Sequence, residues 1–226
     1  MIVKAGFLGL DNIIGGFKAG ELVVVGGRPG MGKTSFSLDI ARHVALEENK
    51  KVCIFSYENS TEQVKDRLHS TQTFVPLARY INNIFIEDCP NLSVSEIRAK
   101  LSELVQVDLV IIDYVQLIPA ANAQLLNAQQ SRVEHVTEIS RTIKSIAKEL
   151  HVPILLCSQL PRSVEKRENC RPQLNDLFEN GSLGQDADVV LLLYRSSYYD
   201  YLTVNDLSEC IIAKHRGGDL GTVSLI

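Results

Sequence analysis

Eight short apolar runs, at 22–25, 52–55, 84–86, 109–112, 154–157, 189–193, 210–213 and 222–226, punctuate the chain, and most are continuous rather than alternating. A strand that is apolar at every position must be covered on both faces, which is the condition of a parallel sheet held between helices. The segments between the runs carry the helical period. Phe36, Ile40 and Val44 fall four apart, with Ala41 and Ala45 widening the stripe. Val133, Val136, Ile139, Ile143, Ile146 and Leu150 keep a three–four spacing along the longest predicted helix. Ser60 with Gln63, and Ser93 with Glu96, have the spacing of capping boxes and open two more helices. Alternation of this kind predicts an α/β fold with a mostly parallel, twisted sheet flanked by helices. The last two runs, joined by residues 216–221, are expected to fold back as an antiparallel hairpin at a sheet edge. Residues 119–130 and 161–186 break the alternation, and the second stretch is too long for a simple connector.

With 226 residues, the chain suits one domain with an ample core. No apolar run approaches the ~20 residues that span a bilayer. No basic segment followed by an apolar one opens the chain, so a cytoplasmic protein without membrane contact is expected. The cysteines, at 53, 89, 157, 170 and 210, form no C-x-x-C pair, and Cys53, Cys157 and Cys210 sit inside apolar runs. They read as buried free thiols in a reducing compartment. A net charge of −4 excludes a protein that coats nucleic acid by bulk charge, but leaves room for a local basic site. Arg162, Lys166, Arg167 and Arg171 form one such candidate, interleaved with Glu165 and Glu168.

Residues 27–34, Gly-Arg-Pro-Gly-Met-Gly-Lys-Thr, fit the pattern G-x-x-x-x-G-K-[ST] between a predicted strand and a predicted helix. The chemistry of phosphate binding needs that arrangement: glycines let backbone N–H groups close around phosphates, and the helix presents its positive end. Arg28, Pro29, Gly30, Met31, Gly32, Lys33, Thr34 and Ser35 are the expected nucleotide contacts. Lys33 is expected to reach the β- and γ-phosphates of ATP, and the Thr34 hydroxyl to ligate Mg²⁺. Strand ends supply the remaining polar groups. Asp113, closing the run 109–112, is the expected second magnesium contact; Asp108, at its start, reads as a solvated charge. Glu58 is a candidate base for the attacking water, and Gln159 a candidate γ-phosphate contact. Lys214 and Arg216 approach the hairpin turn, from which they cannot easily bend back to their own phosphate loop. Either they reach a neighbouring subunit's nucleotide or they guard a sheet edge.

Taken together, GRPGMGKTSF, IFSYE, LVIIDYVQLI, VPILLCSQLPRSVEKR, RPQLNDLFENGSLGQDADVVLLLYR and IIAKHRGG resemble the motor domain of DnaB-type replicative helicases, within the RecA-like ATPases. The resemblance extends over nearly the whole chain. It implies a RecA-like P-loop NTPase fold and a homo-hexameric ring that couples ATP hydrolysis to movement on single-stranded DNA. It also implies a catalytic role for Lys33, Glu58 as base, Asp113 as Walker B acid and Gln159 as γ-phosphate sensor. Lys214 and Arg216 match the pair inserted into the adjacent subunit's site. Nothing matches the family's N-terminal domain, which binds primase and helps build the ring; the expectation is one motor domain over 1–226, with primase and loader contacts left to that absent domain.

Two departures fall in the DNA-facing segment. The family's D-L-R-E-S-G is here Asp176-Leu177-Phe178-Glu179-Asn180-Gly181, with Phe178 in place of arginine. Backbone N–H groups around Glu179, Asn180 and Gly181 are still expected to bind DNA phosphate, and Phe178 either stacks on a base or anchors the loop. Gly184 stands where the family more often has an acid, which predicts a more flexible loop before Gln185. The competing readings are a RecA/RadA-like recombinase core, and a ring that uses ATP as an assembly switch without unwinding.

Overall fold

Before the first predicted strand, the chain of this computed structural model makes a small antiparallel ribbon, β1 (Ile2–Val3) and β2 (Phe17–Lys18), with the short helix α1 (Leu8–Ile14) between them. The structure describes residues 1–70, 75–104, 106–119, 128–180, 182–199 and 208–225. Strand and helix then alternate as β3 (Leu22–Gly27), α2 (Lys33–Leu46), β4 (Val52–Ser56), α3 (Thr61–Ser70), β5 (Ile84–Glu87), α4 (Val94–Glu103), β6 (Leu109–Asp113), α5 (Ala128–Leu150) and β7 (Ile154–Gln159). Two 3-10 turns follow, Arg162–Lys166 and Leu174–Asn180, with a one-turn helix α6 (Leu183–Asp186). The strands β8 (Val189–Arg195), β9 (Ser208–His215) and β10 (Gly221–Leu225) complete the fold. The ribbon, α1 and the 3-10 turns have no periodic signature in the sequence.

The eight long strands form one sheet in the order β10-β9-β8-β3-β7-β6-β4-β5. From β8 to β5 all pairs are parallel, and β9 and β10 add antiparallel at one edge. Both faces are covered, which explains the continuous runs. Val23, Val25, Ile54, Ile111, Leu155 and Leu191 pack into one core with the stripe of α2. Their neighbours Val24, Phe55, Val110, Ile112, Leu156 and Leu192 pack into a second core with α4 and α5. Within α5, Val136, Ile139, Ile143 and Ile146 are buried as predicted, while Val133 is 37% exposed near the helix start.

Helix starts follow the expected chemistry. Ser93 and Glu96 form a complete capping box on α4, and Ser60 and Gln63 exchange the same pair of bonds before α3. Asp108 departs from its expected place in solvent: it is 4% exposed, and its carboxylate accepts the Lys51 N–H at 2.8 Å, tying the start of β6 to the start of β4. Asp188 does similar work across the sheet, accepting the Leu22 N–H at 2.8 Å and pairing with Lys144 of α5. Gly184 is not in a loop. It lies buried inside α6, where an added Cβ would meet Leu174 and Leu177 at ordinary contact distances of 3.6 and 3.7 Å. Cys53, Cys157 and Cys210 are buried free thiols as expected, whereas Cys89 is exposed. Among the described residues, no helix is long and apolar enough to cross a membrane.

Candidate active site

Every parallel strand extends past its apolar run at the C-terminal end, and in β6 and β7 the added residues include Asp113 and Gln159. Gly27 at the end of β3 lies beside Gln159 of β7, and Asp113 at the end of β6 lies beside Ser56 of β4. β3 and β4 follow one another in sequence yet are separated in the sheet by β7 and β6. The chain therefore leaves β3 over a crevice, the position where open α/β sheets take their ligands.

The loop after β3 occupies that crevice. Gly30 and Gly32 hold left-handed backbone at φ 79° and 86°, a conformation side chains resist. A Cβ on Gly30 would lie 2.9 Å from the Tyr198 ring, whereas one on Gly32 meets nothing within 4 Å. The first glycine permits close packing; the second leaves the cradle open. Gly32 is also the N-cap of α2 and supplies no side-chain bond, so the first amide groups of α2 are left for an anion at the positive end of the helix. Lys33 Nζ donates to the Gly27 carbonyl at 3.1 Å and the Arg28 carbonyl at 3.2 Å. Burial pushes its pKa below the ordinary lysine value, against the opposing pull of the Asp113 and Glu58 carboxylates.

Thr34 Oγ1 donates to Asp113 Oδ2 at 2.7 Å. The second carboxylate oxygen, Oδ1, is buried with no hydrogen-bond partner. A buried, unsatisfied carboxylate oxygen beside a hydroxyl is a hard-donor pair suited to Mg²⁺. Among the described residues, no group of three or more His, Cys, Asp or Glu makes a metal cage. A cation here would complete its shell with substrate phosphate oxygens and water, as Mg²⁺ does.

Around this pair the structure brings together the other predicted groups. The Tyr57 N–H donates to the Asp113 carbonyl at 2.9 Å and Ser56 Oγ to the Asn59 carbonyl at 2.7 Å, turning Glu58 out into the crevice. Gln116 fixes the end of β7: its amide nitrogen donates to Ser158 Oγ and the Gln159 carbonyl, both at 3.0 Å, and its oxygen accepts the Gln159 N–H at 3.1 Å. The resulting cleft of about 330 Å³ is lined by Lys33, Thr34, Glu58 and Gln159, and by two residues that sequence reasoning missed, Arg67 and Tyr114. Arg67 looks like a surface charge on α3, and nothing in the sequence marks Gln116 as a brace. A larger groove of about 570 Å³ continues past Ser35 and Asp39 toward Arg195 and Leu225.

Pro29, Gly30, Gly32 and Ser35 also line the cleft. Arg28 and Met31 turn their side chains away. Met31 is 4% exposed in the core, and Arg28 donates to the Leu160 carbonyl at 2.9 Å and to Glu165 at 2.8 Å. Lys214 and Arg216 stand elsewhere. His215 pairs with Val189, which marks the start of the parallel strands, so the hairpin turn lies at the end of the sheet opposite its own phosphate loop. There Lys214 Nζ donates to the Gly184 and Gln185 carbonyls, both at 2.8 Å, and Arg216 to the Gln185 carbonyl at 2.9 Å. Arg162 and Lys166 are exposed. Arg167 instead makes a two-pronged ion pair with Asp176, at 2.7 and 2.5 Å. Gly181 lies outside the described residues, as do the side chains of Phe178, Glu179 and Asn180.

The sequence profile of the DnaB-like helicase C-terminal domain matches residues 3–83 and 78–226. The chain belongs to that family. It is 41% identical over 248 residues to the replicative DNA helicase DnaC of Bacillus subtilis (strain 168), covering 99% of this chain and 54% of that protein. It is 38% identical to the replicative DNA helicase DnaB of Geobacillus stearothermophilus, with coverage of 99% and 54%. The chain thus spans about half the length of the curated relatives it matches. Among solved structures, a DnaB-like replicative helicase described with its primase interactions superposes with a TM-score of 0.85 at 34% identity, covering 99% of this chain and 59% of that one. The RadB recombinase superposes with a TM-score of 0.68 at 18% identity, over 98% and 94% of the two chains. That likeness establishes the shared RecA-like fold alone, so the comparisons favour the helicase family over the recombinase reading.

Proposed function

We propose that the chain is the ATP-hydrolysing motor of a replicative DNA helicase, acting at the subunit interfaces of a cytoplasmic homo-hexamer that moves along single-stranded DNA and unwinds duplex. The observation that carries this reading is the convergence of Lys33, the Thr34–Asp113 pair, Glu58 and Gln159 on one cleft at a strand-order crevice, in a chain of this family. ATP is the substrate. Lys33 leaves the Gly27 and Arg28 carbonyls for the β- and γ-phosphate oxygens, and the groove beside Ser35 and Asp39 gives room for the nucleoside. Thr34 and Asp113 would hold Mg²⁺, which when bound would offset the phosphate charge. Glu58 orients and deprotonates the attacking water, and Gln159 contacts the γ-phosphate.

Arg216, with Lys214, serves the adjacent subunit. The six residues of β3 separate the hairpin turn from its own phosphate loop, roughly 15–20 Å along the strand direction, so these cations act in trans or not at all. DNA is held by backbone amides at Glu179, Asn180 and Gly181, aided by Arg162 and Lys166; Arg167, committed to Asp176, is left out of that contact. Primase and a loader are proposed partners through the family's N-terminal domain. The proposal is tested with Glu58→Gln, which is expected to bind ATP normally while turnover falls by about a hundredfold or more. Full turnover in that variant overturns the assignment.

A further inference from the structure

The phosphate loop and the segment that starts at Asp176 are both fastened to one 3-10 turn. That turn, Arg162–Lys166, is seated in the core by the fully buried Val164. On one side, Glu165 accepts a bond from Arg28, whose side chain is only 9% exposed and whose guanidinium is also held by the Leu160 carbonyl. On the other side, Arg167 grips Asp176 with two bonds, and Asp176 further accepts the Gln173 N–H at 2.7 Å. The next residue, Leu177, is fully buried.

The stretch between the two pairs has little slack. Arg171 pairs with Glu209 of β9 and lies 5.0 Å from the centre of the Tyr194 ring, and the Tyr194 hydroxyl donates to the Asn169 carbonyl at 3.0 Å. A shift of the turn at one end therefore reaches the other instead of being absorbed. A trigger is also present. The Arg28 carbonyl holds Lys33 while the Arg28 side chain holds Glu165, so drawing Lys33 onto phosphates changes what anchors the residue that grips Glu165.

We propose that Glu165 is a positioning residue: through Arg28 on one side and, across the turn, Arg167 and Asp176 on the other, it makes nucleotide occupancy and single-stranded DNA binding interdependent. This coupling rests on the proposed DNA contact downstream of Asp176. Such interdependence is reciprocal, because the factor by which nucleotide changes DNA affinity equals the factor by which DNA changes nucleotide affinity.

The test titrates a fluorescein-labelled oligo(dT) with the 226-residue chain, with and without a saturating magnesium complex of a non-hydrolysable ATP analogue. The wild-type chain is expected to show a coupling factor in the range of about 5- to 150-fold, and Glu165→Gln to bring it to within about twofold of none. ATP turnover without DNA and thermal melting should stay unchanged in Glu165→Gln. Adding Asp176→Asn to Glu165→Gln should remove no further coupling, since both act on one relay. Glu209→Gln, which gives the same segment slack at a different pair, should lower the factor as well. Full coupling in Glu165→Gln, or an undiminished factor in Glu209→Gln, overturns the relay while leaving the functional reading intact. A wild-type chain whose DNA affinity ignores nucleotide overturns the functional reading, and the relay with it.

Discussion

Lys33 illustrates how a single side chain is set by both fold and chemistry. It is drawn into the loop by the Gly27 and Arg28 carbonyls, and burial lowers its pKa. Removing its charge should cost turnover about a hundredfold or more, because in the proposed mechanism that charge meets the phosphates in the transition state. Lys33→Ala should lose this activity without losing the fold. The same burial fixes a sign in pH. A lysine whose folded-state pKa lies below 10.5 binds fewer protons folded than unfolded in the window between the two values, so its unfavourable contribution is relieved as pH rises toward 10.5. Urea unfolding followed from pH 7 upward should show a steeper gain, or a shallower loss, of stability in the wild-type chain than in Lys33→Ala. An identical slope in the two contradicts a buried, charged Lys33. At this scale the sequence was most informative where a residue's type follows from its chemistry: Lys33, Thr34, Asp113, Glu58 and Gln159 all meet at the cleft. It was silent where a role comes from tertiary approach. Arg28 sits within the expected cradle yet points away from it, and Gln116, although it lies within LVIIDYVQLI, braces β7 through contacts that its place in the sequence does not show.

At the scale of elements, an apolar run marks every strand of the main sheet, and it is continuous in β3, β4, β6, β7 and β8 because both faces are buried, whereas the edge strands β5 and β10 are partly exposed. Strand ends were read short for the complementary reason: Ser56, Asp113, Ser158 and Gln159 are polar, yet the ladder continues through them. Asp108 was misread because a charged residue at a strand start looks solvated until a neighbouring backbone amide, here that of Lys51, is known to point at it. Asp188 holds several elements at once, with bonds to the start of β3, to α5 through Lys144, and an approach of 3.4 Å to Arg216. Its pair with Lys144 is largely buried, with the side chains 14% and 11% exposed. Asp188→Ala should therefore destabilise the chain by about 3–5 kcal/mol, the cost of stranding a buried partner charge. Chemical denaturation checks this, and a loss below about 1 kcal/mol would place the pair among weak surface bridges.

For the whole molecule, the order of strands separates two functions that are close in sequence logic. The phosphate loop stands at the C-terminal ends of the parallel strands, while the hairpin carrying Lys214 and Arg216 turns at the other end. One chain therefore places the cleft at one end of the sheet and Lys214 and Arg216 at the other, as the proposed ring requires if its sites complete one another. Mixing Arg216→Ala with Lys33→Ala should restore part of the turnover that each lacks alone, since both lesions can then fall on one interface and leave another intact. Mixtures shown to co-assemble but still inactive would contradict a trans role. The account as a whole is tested most directly by ATP turnover with and without single-stranded DNA, measured on the species sized by sedimentation in Mg-ATP, with Lys33→Ala as background. It predicts a hexamer-sized species whose turnover rises with DNA and vanishes in that variant; a hexamer whose turnover is indifferent to DNA would contradict the motor and favour an assembly switch.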